Sequence, residues 1–334
     1  MPNLPPELID AILESVPLRP LIYGNGEANY LSSSVAMTLG NCALVCRDWV
    51  FPSRRILFYR VHLADNTAEG FMELVDSSSS TFLPVIREVE LADGAWTRTA
   101  LLSRILGKLH CRTHTVMLVV LPKTSTEWIR HYPHPATVTR LELADRWGLK
   151  LNEAARVIST FPALSSLKVR VRKFEHSDTS PSLDHQPSQT LSSFELRAWN
   201  THTFLSWIQS ARLAISNLTI SLPALRTVSP HAESSIYYIT SLGASLIVLR
   251  LLMAHSVEDA NICLYEFVPT GFLGRNANLR ELTIEGLPAQ MMAILRKVAS
   301  LPTLELLSLD VAGDPERWTR TVPPSSVCTP RVKK

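Results

Sequence analysis

The chain has 334 residues, 46% of them hydrophobic, with a mean hydropathy of +0.10, enough to bury one extended core or two compact ones and too apolar for general disorder. Its 33 Lys and Arg balance 30 Asp and Glu, which leaves no broad positive field for nucleic acid or an acidic membrane surface. The longest apolar runs, such as VMLVVL at 116–121, fall far short of the roughly 20 residues that span a bilayer.

No basic segment followed by an apolar core opens the chain, so the expected location is the cytoplasm or nucleus. Five scattered cysteines (Cys42, Cys46, Cys111, Cys263, Cys328) do not make a disulfide framework, and reduced thiols are expected. Cys42 and Cys46 are read as small core residues rather than metal ligands, because no second Cys or His pair accompanies them.

In chain order, LPPELIDAIL at 4–13 predicts a short helix over 4–16: Pro6 suits the first helical position, Glu7 complements the dipole, and Leu8, Ile9, Ile12 and Leu13 make one wide apolar flank. The stretch 17–30, with two prolines and Gly-Asn-Gly, predicts a loop. From Leu39, the apolar residues Leu44, Val45, Trp49, Ile56, Leu57 and Phe58 predict one or two further helices divided near Pro52.

Beyond residue 80 the pattern apolar-x-x-apolar-x-apolar occurs nine times, centred on Val89, Val119, Leu141, Leu167, Phe194, Leu218, Leu249, Leu282 and Leu307. Such a period marks stacked supersecondary units. Helix-period segments lie between several of them: Leu101, Leu102, Ile105, Leu106 and Leu109; Phe204, Leu205 and Ile208; Met291, Met292, Leu295 and Val298. Strand followed by helix followed by strand implies parallel pairing. The fold class expected is α/β: an N-terminal helical domain, then an irregular solenoid with parallel strands on its concave face and helices outside. A compact α/β domain of βα units is the structural alternative. The expected boundaries are a helical domain at 1–63, a linker at 64–81, a repeat region at 82–312 with a mobile insertion at 175–190, and an irregular tail at 313–334.

LPPELIDAIL followed by CALVCRDWVFPSRRILFYRVHL closely resembles the F-box of large fungal families, and the resemblance covers residues 4 to about 63. It implies docking onto a Skp-type adaptor and, through it, a cullin-RING ubiquitin ligase. The positions that match the motif, and so the expected adaptor-binding residues, are Leu4, Pro5, Pro6, Leu8, Ile9, Ile12, Leu13, Leu39, Leu44, Val45 and Trp49. The connection at 17–35 is about a dozen residues longer than usual, an insertion that a surface loop absorbs at small entropic cost. The later region is similar to leucine-rich repeats. Eight positions after the first apolar residue of each triplet the chain has neither Asn nor Cys, so turns satisfied by other groups are expected.

No Gly-rich phosphate loop, G-x-S-x-G or H-E-x-x-H occurs, and no catalytic residue, metal or cofactor is expected. HCRTH at 110–114 is read as a turn. Alternation places Glu90, Val120, Glu142, Lys168, Glu195, Thr219, Arg250, Thr283 and Ser308 on the outward strand face. There Arg140, Glu142, Lys168, Arg170, Glu195 and Arg197 form a candidate mixed-charge patch for an unknown target protein. Two readings compete with the ligase adaptor: a repeat scaffold whose F-box-like helices only cap the solenoid, and an enzyme with an unrecognised site.

Overall fold

The computed structural model describes residues 5–14, 21–23, 26–28, 33–45, 47–63, 67–77, 82–91, 99–109, 115–119, 132, 134–145, 148–175, 185–198, 200–222, 230–253, 272–286, 295 and 301–311. They form a mixed α/β chain with parallel strands and helices, in two compact units, Met1–Ala144 and Asp145–Lys334. Among the described residues no helix is long and apolar enough to cross a membrane.

The first unit opens with α1 (Pro6–Glu14), then β1 (Leu21–Tyr23) and β2 (Gly26–Ala28), α2 (Ser33–Val45) and α3 (Arg47–Leu57). β1 and β2 pair antiparallel, so the stretch expected to be a loop contains a small hairpin. Only Gly24 and Asn25 separate its strands, and Gly-Asn is a two-residue hairpin signal. The division expected near Pro52 falls instead between α2 and α3, which end and begin at Val45 and Arg47; Pro52 lies inside α3. One missing intrahelical hydrogen bond is outweighed there by side chains along the helix, since Trp49, Ile56 and Leu57 all pack against the buried cluster of Ile9, Leu13 and Leu39.

The last residues of the segment expected to be helical form β3 (Arg60–Leu63). α4 (Ala68–Asp76), within the expected linker, buries Ala68, Met72 and Val75, spaced at helical period. β4 (Glu88–Leu91), α5 (Thr99–Lys108), β5 (Thr115–Val119) and β6 (Arg140–Asp145) follow. β3, β4, β5 and β6 pair in parallel in that order. Phe58, just before β3, stacks on Phe82 with centroids 4.5 Å apart, which ties the end of the helical segment to the sheet.

The pairing corrects the second triplet. Val89 stands opposite Val116 and Leu91 opposite Leu118, and Val116 stands opposite Leu141. Val116, not Val119, is therefore the equivalent of Val89, and Met117 takes the place expected for Val120, which lies outside the described residues.

The second unit contains β7 (Leu149–Lys150), α6 (Leu151–Ser159), β8 (Ser166–Val171), β9 (Phe174–Glu175), β10 (Ser193–Arg197), α7 (His202–Ser210), β11 (Asn217–Leu222), α8 (Pro230–Leu242), β12 (Val248–Met253), β13 (Glu281–Gly286) and β14 (Leu306–Val311). β8, β10, β11, β12, β13 and β14 pair in parallel in that order. Their inward residues from Leu167 to Ile284 are fully or almost fully buried. α6 turns Leu151, Ala154, Ala155, Val157 and Ile158 inward, and α7 does the same with Phe204, Leu205, Trp207 and Ile208. Phe204 sits at the centre of an aromatic group: its ring lies 4.7 Å from Phe174, 6.0 Å from Phe194 and 5.5 Å from Trp207.

Each unit repeats one local arrangement. A single-turn backbone hydrogen bond ends on the first apolar residue of the triplet, as from Ile86 N–H to Leu83, Val138 to Pro135, Leu164 to Phe161, Leu246 to Gly243 and Leu279 to Asn276. At the next residue one carbonyl accepts two N–H groups from the following repeat: Ser165 from Ser192 and Ser193, Ser192 from Ser216 and Asn217, Ser216 from Ile247 and Val248, Ile247 from Arg280 and Glu281, and Tyr59, before β3, does the same from Arg87 and Glu88.

Hydroxyls reinforce these turns: Ser192 and Ser216 donate to Ser165 O and Ser192 O, Ser245 to Ile215 O, and Thr303 to Leu279 O. Buried Asn276 donates to Ile239 O and Gly243 O at 3.0 and 3.1 Å; Gly243 has φ +53°, a conformation glycine adopts without steric cost. One Asn does act after a strand: Asn200 Oδ1 accepts from Phe174 N–H and its Nδ2 donates to Phe174 O, both at 2.5 Å.

Of the stretch 175–190, Glu175 lies in β9 and 176–184 lie outside the described residues. Its end is anchored: Ser188 Oγ donates to Pro162 O, Thr190 Oγ1 to Leu164 O, and Trp207 Nε1 to His185 O. The expected helix from Met291 to Val298, apart from Leu295, and the tail at 313–334 also lie outside the described residues.

Replacing Phe204 with Ala removes the ring shared by three aromatic contacts. We expect a loss of about 3–5 kcal/mol, read as a lower urea midpoint for the second unit. Leu309→Ala, at a half-exposed position of β14, is expected to change that midpoint by no more than about 0.5 kcal/mol.

Candidate functional site

Two surfaces carry the residues singled out by sequence. The first lies on α1, α2 and α3. Ile9, Leu13 and Leu39 are its buried core, with Trp49 and Cys42 packed against them. Leu8 is 51% exposed, Ile12 44%, Leu44 83% and Val45 57%. Pro5 is exposed at the entrance to α1, where its carbonyl accepts the N–H groups of Leu8 and Ile9. Pro6 begins α1, while Leu4 lies outside the described residues.

The eleven motif positions thus divide by role. Ile9, Leu13 and Leu39 hold the helices together, and Leu8, Ile12, Leu44 and Val45 face solvent. Sequence reasoning passed over Met37 on α2 and Phe51 on α3, both more than 60% exposed. Their apolar character in otherwise sorted helices was the available signal. Among the described residues, Leu8, Ile12, Met37, Leu44, Val45 and Phe51 are the large apolar side chains that α1, α2 and α3 leave exposed.

The second surface is the outward face of the second unit's sheet. Register places Lys168 opposite Glu195 and Arg170 opposite Arg197. Glu195 Oε1 accepts from Arg170 Nε at 3.1 Å and from Arg197 Nε at 2.7 Å, and Lys168 Nζ lies 3.9 Å from Oε2. Burial by itself raises the Glu195 pKa; the Arg170 and Arg197 guanidiniums, with Lys168, more than reverse this and hold the carboxyl below its ordinary value.

Arg140 and Glu142 lie on β6 of the first unit, where Glu142 stands opposite Met117 and Met117 opposite Glu90. The structure therefore brings Lys168, Arg170, Glu195 and Arg197 together and describes Arg140 and Glu142 on a separate unit. Glu90, expected on the outward row, has no exposed surface, and His62 Nδ1 of the paired strand lies 3.6 Å from its Oε1.

Farther along the second unit's sheet lies a group the sequence reading did not single out: Arg250 Nη2 is 2.8 Å from Glu285 Oε2 and 3.8 Å from Asp310 Oδ2. Outward positions of β12, β13 and β14 were the signal available for it. HCRTH at 110–114 lies outside the described residues, among which no group of three His, Cys, Asp or Glu could hold a metal ion.

No protein-family model matches the chain, and no curated protein matches it.

A depressed carboxylate pKa stabilises the fold above the unfolded-state value near 4.3, and that contribution is lost as pH falls through the folded-state value. Glu195→Gln is therefore expected to cost about 1–3 kcal/mol at pH 7, and wild type and variant are expected to converge only once pH has fallen through the lowered folded-state value. Thermal melts at several pH values check the sign.

Proposed function

We propose that this protein is a non-catalytic substrate-recognition adaptor of a cullin-RING ubiquitin ligase, with an F-box at its N-terminus and degenerate leucine-rich repeats after it. On this reading α1, α2 and α3 dock a Skp-type adaptor, and the outward strand face recruits a target protein. The observation that carries it is the sorting of one motif into an inner and an outer set: Ile9, Leu13 and Leu39 buried, Leu8, Ile12, Leu44 and Val45 exposed. A helical motif that served only its own core would turn its aliphatics inward. The recurrent turn and strand, with one carbonyl taking two N–H groups at each step, supports the repeat reading. The chain contributes proximity and orientation, and other subunits carry out ubiquitin transfer.

One observation favours a second reading, in which the helices cap the repeats without a ligase role. β3 follows α3 closely and adds in register to β4, so the helices lead directly into the sheet.

Leu8→Asp with Ile12→Asp separates the readings. Both side chains are about half exposed in the free chain, so the charges are tolerated there but cost several kcal/mol when buried by a partner. The expected result is loss of Skp-type adaptor capture with an unchanged melting temperature. Full capture by the folded double variant contradicts the docking assignment. As a control, Leu13→Asp is expected to lower the melting temperature, because it places a charge in the buried cluster.

A further inference from the structure

The outward face of the second unit is ordered by charge. At one end, on β8 and β10, three cations surround one carboxylate: Lys168, Arg170 and Arg197 about Glu195. At the other end, on β12, β13 and β14, the ratio is inverted: Arg250 pairs with Glu285 and Asp310, and Glu281 lies on the same face of β13. Between them β11 turns only Asn217, Thr219 and Ser221 to the same face. Parallel register keeps these residues in aligned rows, with Lys168, Glu195, Thr219, Arg250, Thr283 and Ser308 successive members of one row. By formal charge the outward side chains therefore make a positive end on β8 and β10, a neutral β11 and a negative end on β12, β13 and β14.

A well-mixed solubilising surface alternates its signs. This one separates them across neighbouring strands that are paired throughout, so the separation is held by the backbone.

We propose that this face binds an extended segment of a partner protein that carries an acidic group and a basic group at its two ends and crosses the strands from β8 to β14. The acidic end lies over Lys168, Arg170 and Arg197, and the basic end over Glu281, Glu285 and Asp310. The midpoints of the two charged regions are four strand steps apart, about 19 Å. An extended chain covers about 20 Å in six residues, so roughly six residues separate the two charged groups. Because such a segment can lie across the sheet in either direction, charge separation rather than chain direction is what the face reads. A uniformly charged segment of the same length is disfavoured, because one of its ends meets its own sign.

The proposal rests on the reading of this face as the target-binding surface and not on the ligase assignment. It is tested with the full chain and two fluorescein-labelled twelve-residue peptides of identical composition: three Glu, six alternating Gly and Ser, then three Lys, and an isomer with Glu and Lys alternating. Fluorescence anisotropy is expected to give at least tenfold tighter binding for the block peptide, equal binding for its reversed sequence, and a loss with added salt. Glu285→Lys with Asp310→Lys, folded by circular dichroism, is expected to lose the block peptide and to bind a six-Glu peptide better than wild type does. Equal affinity for the two isomers, or binding of neither, overturns the proposal. If targets still co-purify with the chain in that case, the adaptor reading stands and only the charge-order reading falls.

Discussion

A carbonyl that accepts two N–H groups from the next repeat is the contact on which the described sheet depends. It recurs at Tyr59, Ser165, Ser192, Ser216, Ile247 and Arg280, each time just before a strand begins. By fixing where the next strand starts, it fixes the register, and a slip of one residue exchanges the inner and outer faces. Phe194, Leu218 and Leu249 are buried, and Glu195, Thr219 and Arg250 face outward, because that contact sits where it does. Ser192 and Ser216 add a hydroxyl hydrogen bond to this contact at Ser165 and Ser192.

The two candidate surfaces use opposite physics. On the helices, about half of each amphipathic flank is held inside by its own core and the rest is left apolar and exposed, a surface whose burial by a partner is favourable in proportion to its area. On the sheet, charges lie on a rigid backbone and compensate one another only locally. Glu195 illustrates the balance: its desolvation is offset by two guanidiniums in hydrogen-bonding reach, and the cations still outnumber it. The more exposed pairs on this face, such as Arg250 with Asp310, add little stability, but they orient a partner well.

Most strands were legible because an alternating triplet needs only local sequence to show which residues turn inward. VMLVVL at 116–121 defeated that reading, since the template fits the run only with Val119 in the middle, whereas pairing puts Val116 opposite Val89 and Leu141 and leaves the first position of the triplet on Thr113, which is not apolar. β3 was missed because Val61 and Leu63 follow a helical pattern without a break. Asn200 escaped notice by one position, because the eighth position after Leu191 is Trp199. The division of Leu8 and Ile12 from Ile9 and Leu13 was not legible at all, because all four lie on one apolar flank and only the packing of Leu39 and Trp49 against it decides which are covered. The burial of Glu90 belongs with these, as strand alternation assigns a face but not what lies over it.

Hydrogen exchange by mass spectrometry, with the full chain alone and with a purified Skp-type adaptor, tests the central claim most directly. The account predicts added protection in peptides covering 5–14 and 33–51 on adaptor binding, and unchanged exchange in 193–197 and 217–222. Protection confined to the strands of the second unit, or no protection at saturating adaptor, contradicts it.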